Sequence, residues 1–323
     1  MERQTDIAQT IELAADRARY DECAKKLLTY KAVIAWILKS CTKEFSQYSV
    51  KFICDNCLNE NVELSEHAVH QDQLNRDERL NGDKRLDGLN TEANAIKDQT
   101  VYYDIRFKAT LPESKEPVQL IINLEIQLND TPGYPLVTRG FYYCARMVSE
   151  QYGTVFTDEH YEKIQKVYSI WICPDPAKKR KNGIFRYHTV EDSVRGNSFV
   201  KSEAYDLMEV VILNLGNADE SSDLEILDLL NVLFSTTATP EEKKKRLNDE
   251  FDIAMTAEFE SEVRDMCNLS KALVEQGIEQ KNLSLAKMMI ESNEPIDKIA
   301  KYTGYGIDRI KEIADQMKTP VSV

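Results

Sequence analysis

Residues 101–127 read VYYDIRFKAT, then LPESKEP, then VQLIINLEIQ. Two apolar runs flank a short polar segment, which predicts two antiparallel strands joined by a tight turn. Side chains alternate faces along a strand. Tyr102, Asp104 and Arg106 therefore fall on one face of the first strand. Asn123, Glu125 and Gln127 share a face of the second, with Leu124, Ile126 and Leu128 turned to the other side and the core. A turn centred near Ser114 sets Asp104 opposite Leu124 or Glu125. Directly opposed carboxylates would stand roughly 5 Å apart. Like charges at that distance need a cation between them, or one takes up a proton. Mg²⁺ suits such a pair, because it takes oxygen ligands and commonly uses one or two carboxylates with waters and phosphates. An ion there would polarise a phosphate and activate a water, which Gln127 could orient. The competing reading is a solvated, exposed sheet face.

Outward from this hairpin, residues 20–46 carry apolar residues at helical spacing and predict one long helix. Residues 60–100 are polar and read as a long loop with short extended pieces, a functional rim by its length. After the hairpin, NDTPGYPL is a turn segment, and residues 136–152 predict a helix. KVYSIWICPD (166–175), IFRYHTV (184–190) and EVVILNLG (209–216) follow as strands. Beyond them only helices are expected, over residues 222–234, 240–275 and 280–317. The organisation is an N-terminal extension (1–17), an α/β core (18–216) and a helical C-terminal region (217–323) with a helix-turn-helix-like tail at 283–317.

Composition narrows the class of function. The chain has 323 residues and a formal net charge of −14, which weighs against loose binding of nucleic acid by the whole surface. It leaves room for a local basic face, and AKKRKNG at 177–183 is a compact basic run. No apolar run reaches the ~18 residues of a membrane span, so no membrane association is expected. The polar N-terminus lacks a signal-peptide stretch. Seven cysteines do not make a disulfide framework, and a cytoplasmic protein with reduced thiols is expected.

The spacing of Asp104 and Glu125-Ile126-Gln127 resembles the PD-(D/E)XK nuclease superfamily, and more closely its transposase-associated, Rpn-like branch, in which the last lysine of the motif is often glutamine. GLNTE (88–92), VYYDIRF (101–107), GYPLVTRGFYYCARM (133–147) and the YSIWIC strand carry the same likeness, over roughly residues 18–215. The resemblance implies an α/β fold with a restriction-endonuclease-like core, a central mixed sheet flanked by helices, followed by an all-helical extension. It implies a Mg²⁺-dependent endonuclease (Mn²⁺ as an alternative ion) acting on DNA in transposition or recombination. Asp104 and Glu125 would be metal ligands, and Gln127 would stand where lysine is usual. An acid of the first helix, Asp21 or Glu22, would add a metal contact. Arg139 and Tyr143 match the helix after the motif, and Arg139 would meet a phosphate. Two departures stand out. Tyr103 replaces the proline before the aspartate, and Gln127 lacks the charge lysine would bring to a developing phosphorane.

Other constellations say less. Cys54 and Cys57 with His67 and His70 lack the spacing of a zinc finger and read as ordinary thiols and exposed histidines. Lys178, Lys179, Arg180 and Lys181 read as a DNA-backbone contact or a solvated loop tip. The tail reads as a DNA-reading unit with its last segment from Ile307, or as a small bundle for packing or self-association. A homodimer is compatible with a DNA-cutting enzyme. Two functions follow: a metal-dependent nuclease, and a nuclease-like module that grips DNA or a protein without cutting.

Overall fold

The structure is a computed structural model and describes residues 6–64, 92–93, 101–102, 104–111, 118–127 and 132–318. The polypeptide divides into two compact units, residues 18–267 and residues 1–17 with 268–323.

The larger unit is built on a mixed six-stranded sheet in the order β1-β4-β5-β6-β8-β7. Its strands are β1 (Leu58–Leu64), β4 (Ile105–Leu111), β5 (Val118–Ile126), β6 (Val167–Cys173), β7 (Gly183–His188) and β8 (Met208–Asn214). Two short strands, β2 (Glu92–Ala93) and β3 (Val101–Tyr102), pair separately. β5, β6 and β8 run parallel, while β4 and β7 are antiparallel to their neighbours. Every residue of β6 is buried, as its near-continuous apolar run requires of a strand covered on both faces. β7 is the partly exposed edge. The central mixed sheet, flanking helices and C-terminal helices are the α/β architecture expected from the sequence.

Two expectations for the N-terminal half are corrected. The single helix expected over 20–46 is two, α1 (Asp6–Leu28) and α2 (Lys31–Cys41), followed by α3 (Val50–Asn56). The Thr29 hydroxyl donates back to the Lys26 carbonyl at 2.7 Å, and Tyr30 takes an extended backbone. The apolar period runs straight through this break. The break lets the Tyr30 ring meet Phe259 edge-on, with centroids 4.6 Å apart. Similarly, Asp104 is not a mid-strand residue. β3 ends at Tyr102 and β4 starts at Ile105, so Asp104 occupies a bend between them.

Helix α4 (Leu136–Ser149) covers one face of the sheet through Leu136, Tyr143, Cys144 and Met147, packed on Val167, Trp171, Val210 and Ile212. Gly140 permits this approach, since a Cβ there would lie 2.5 Å from Val210 Cγ1. On the opposite face, the Tyr168 hydroxyl donates to Glu44 at 2.7 Å, just beyond α2. Glu209, a buried acid in an apolar strand, is neutralised there by Lys166 and Arg186.

The chain continues through α5 (Glu225–Leu233), α6 (Pro240–Asp249) and α7 (Ala257–Glu291). α6 opens on a capping box in which Thr239 and Glu242 satisfy each other's backbone amides. Residues expected to form one helix over 240–275 are thus split between α6 and α7. In the smaller unit, α8 (Ile296–Thr303) ends on Gly304 at φ 72°, and α9 (Ile307–Lys318) follows. Ala286, Met289, Ile299, Ile310 and Ile313 form its core.

Candidate active site

The pairing of β4 with β5 matches Ile105 to Leu124, so Asp104 lies one step further on, level with Glu125. The two carboxylates converge through the backbone. The Asp104 amide donates to Glu125 Oε1 at 3.0 Å, and the Ile126 amide donates to Asp104 Oδ2 at 3.1 Å. Each carboxylate thus satisfies an amide beside the other, where the ladder between β4 and β5 has just ended. The bend at Asp104 makes this exchange possible, because a residue in regular pairing would offer its amide to a carbonyl.

Charge at this point is delicately placed. Glu125 is 4% exposed. Burial, and next the Asp104 charge, raise its pKa well above the usual carboxylate range, while the Asp104 amide, Arg139 and Lys25 pull it back. Lys25 of α1 supplies the nearest cation: its Nζ lies 2.8 Å from Asp104 Oδ1 and 2.7 Å from Asp21 Oδ2. Burial opposes the Lys25 charge, but Asp104 and Asp21 outweigh it and raise its pKa. Burial is also the main cause of the raised Asp21 pKa. Glu22 turns away and pairs with Lys26 at 2.6 Å, its side chain 61% exposed. The first helix therefore presents Asp21 to the site and Glu22 to water.

Arg139 forms the other wall. Its Nε and Nη2 donate to the Tyr143 hydroxyl at 3.0 and 2.5 Å, and Nη1 donates to the Tyr134 hydroxyl at 3.2 Å. The guanidinium lies 5.0 Å from the Tyr143 ring centroid and 5.1 Å from that of Trp171. Trp171 pairs with Glu125 across β5 and β6, so both project onto the α4 face. Gln127 is half-buried beyond the end of β5, where its backbone N–H donates to the Ile172 carbonyl at 2.8 Å.

The donor set suits a hard divalent cation in part. Two carboxylates, one of them buried, are a fair complement for Mg²⁺ whose other positions are taken by water or phosphate. Among the described residues, no group of three or more His, Cys, Asp or Glu is placed to hold a metal. Asp21 does not complete such a cage, because the Lys25 ammonium stands between it and Asp104.

The sequence model of PD-(D/E)XK nuclease family transposases matches residues 85–276. The chain belongs to that family. No curated protein matches it, and no solved structure does. Membership agrees with the architecture, which is consistent with a PD-(D/E)XK-like α/β fold.

Of the residues singled out in the sequence, Asp104, Glu125 and Asp21 gather at one place, with Arg139 and Tyr143 beside them. Lys178, Lys179 and Arg180 form a short turn after β6, and with Lys181 they lie beyond the carboxyl ends of the parallel strands, the edge of the sheet that holds Gln127. Cys57 is fully buried at the end of α3, while His67 and His70 lie outside the described residues. Lys25, Tyr134 and Trp171 were not singled out. The i,i+4 spacing of Asp21 and Lys25 on one helix was the available signal for the first. Only strand register places Trp171 next to Glu125.

Proposed function

We propose that this protein is a divalent-metal-dependent endonuclease acting on DNA, linked to transposition or recombination. The observation that carries the reading is the convergence of Asp104 and Glu125 at the break between β4 and β5, in a chain of a nuclease family. Mg²⁺ or Mn²⁺ held by Asp104 and Glu125 would supply positive charge to a phosphate and lower the cost of deprotonating a water. Lys25 holds the Asp104 carboxylate in place through their 2.8 Å ion pair, and contributes fixed positive charge that Gln127 lacks. Arg139, held against two rings, presents a guanidinium suited to a phosphate oxygen. Gln127 orients the attacking water by hydrogen bonding, and the Lys178–Lys181 run holds the backbone of the strand. A cytoplasmic setting is supported by the seven free cysteines among the described residues, and no described helix is long and apolar enough to cross a membrane. The boundary of the catalytic core at 216, the reading of DNA by α9 and a homodimeric assembly belong to the same proposal.

One observation favours a second reading, a module that binds without cutting: the Lys25 ammonium already neutralises Asp104 and Asp21. Plasmid nicking with Mg²⁺ or Mn²⁺ separates the two. Cutting by the natural chain that disappears in Glu125→Ala supports the enzyme. Equal nicking by both chains points to a contaminant, and no nicking by either favours the binding module.

A further inference from the structure

Beside the carboxylate pair, the α4 face of the sheet carries a cavity of about 550 Å³. Its walls include Tyr134, Leu136, Arg180, Phe185, Tyr187 and Ile212. Three of these are aromatic rings open to solvent: Tyr134 is 47% exposed, Phe185 42% and Tyr187 38%. Edge strands ordinarily show polar or charged side chains outward. β7 instead turns Phe185 and Tyr187 outward on the same face, two residues apart.

Two observations link the cavity to the candidate active site. Tyr134 lines it, and the Tyr134 hydroxyl accepts from Arg139, the residue whose charge acts on Glu125. Strand register gives the second link. Glu125 pairs with Trp171, Trp171 with Ile212, and Ile212 with Phe185, so all four stand in one row on one face. Three strand spacings separate Glu125 from Phe185, roughly 14 Å. Arg180, the last residue of the turn Lys178–Arg180 that leads into β7, stands in the cavity's lining. In a chain of net charge −14, a guanidinium among aromatic faces is complementary to a polyanion with flat apolar groups. A purely apolar ligand would not call for the guanidinium, and a duplex backbone would not call for the rings.

We infer that this cavity takes an unstacked nucleobase of the strand whose phosphate lies at Asp104 and Glu125, so that the substrate is single-stranded DNA or the unpaired end of a duplex. The inference rests on the nuclease reading for the strand's position, but binding tests it separately from cutting. Base–aromatic stacking tolerates any sequence, because every base has a π-face. The preference is therefore for unpaired structure over sequence.

The test uses the full chain, in EDTA, with short oligodeoxynucleotides carrying 2-aminopurine at successive positions. Binding is read by anisotropy and stacking by quenching of the 2-aminopurine. The variant is Phe185→Leu with Tyr187→Leu, which keeps apolar bulk and removes both π-faces. Far-UV circular dichroism and the urea midpoint establish that it folds. The natural chain should bind the single strand at least about tenfold more tightly than a blunt duplex of the same length. Quenching should appear at one or two positions only. The variant should lose about tenfold in single-strand affinity and the quenching, with duplex affinity unchanged. Unaltered single-strand binding or persistent quenching in the variant overturns the inference, and so does equal affinity of the natural chain for duplex. If Glu125-dependent nicking is present while the variant binds normally, the cavity assignment falls and the nuclease stands. If nicking is absent while the variant loses quenching, the cavity stands and cutting falls. If no oligonucleotide binds, the cavity assignment falls, and metal-dependent nicking alone decides the nuclease.

Discussion

Replacing Lys25 with methionine is the sharpest probe of the carboxylate cluster. Methionine keeps the length and apolar stem of the side chain and removes its charge. The Lys25 ammonium makes two ion pairs, at 2.8 Å to Asp104 and 2.7 Å to Asp21, with its side chain 7% exposed. At an effective dielectric of about 20, each unit-charge pair near this range is worth about 4 kcal/mol of attraction. Desolvation of the ammonium cancels several kcal/mol of that. Breaking a buried pair from one side costs about 3–5 kcal/mol. Asp21 and Asp104 retain 21% and 15% side-chain exposure, so some hydration remains and the lower end applies. The expected loss is about 3 kcal/mol, which moves a urea midpoint down by about 1 M for a slope of about 3 kcal/mol/M. The second arm adds millimolar Mg²⁺. With its internal cation gone, Lys25→Met should recover part of its midpoint, and by more than the natural chain gains, because a bound ion stabilises the folded state by mass action. A loss below about 0.5 kcal/mol would place the pairs among weak surface bridges. A midpoint indifferent to Mg²⁺ in both chains would refute the claim that these carboxylates form a cation site.

Other outcomes follow from the same geometry. The Glu125 pKa is raised in the folded chain, chiefly by burial, so the native state holds more protons than the unfolded one above the ordinary glutamate value of about 4.3. Stability should therefore fall as pH rises through the folded pKa. Glu125→Gln, which keeps an oxygen for the Asp104 amide, should show a flatter curve in that window and a higher urea midpoint at neutral pH; a natural chain no more pH-sensitive than the variant would contradict this. Gly140→Ala pushes a Cβ to 2.5 Å from Val210 Cγ1 and 3.1 Å from Trp171 Nε1, which should cost about 1–3 kcal/mol through displacement of α4; a melting temperature equal to the natural chain's would show that α4 packs elsewhere. Replacing Lys178, Lys179, Arg180 and Lys181 with alanine should lower the slope of log affinity against log salt by about 0.9 for each phosphate left without its cation, as read by anisotropy on DNA at several salt concentrations. An unchanged slope would remove this turn from the DNA path.

The periodicities of the sequence determined a good deal by themselves. The largely apolar runs of β6 and β8 read as strands, and their order with α4 pointed to an α/β core. Asp104 and Glu125 were visible because carboxylates interrupt apolar alternation, and their closeness followed from the length of the turn to within one residue. What tertiary structure decided was everything that depends on a neighbour distant in sequence. Asp21 and Glu22 are equivalent acids until the roll of α1 sends one towards Asp104 and the other to solvent. Lys25 looks like any surface lysine of a helix until α1 carries it to the carboxylates. The break at Thr29–Tyr30 answers to Phe259, more than two hundred residues away, which no local period can report. Trp171, Ile212 and Phe185 share a row with Glu125 only through strand register. Local pattern records which way a side chain faces within its own element, whereas the partner it meets is set by how separate elements pack.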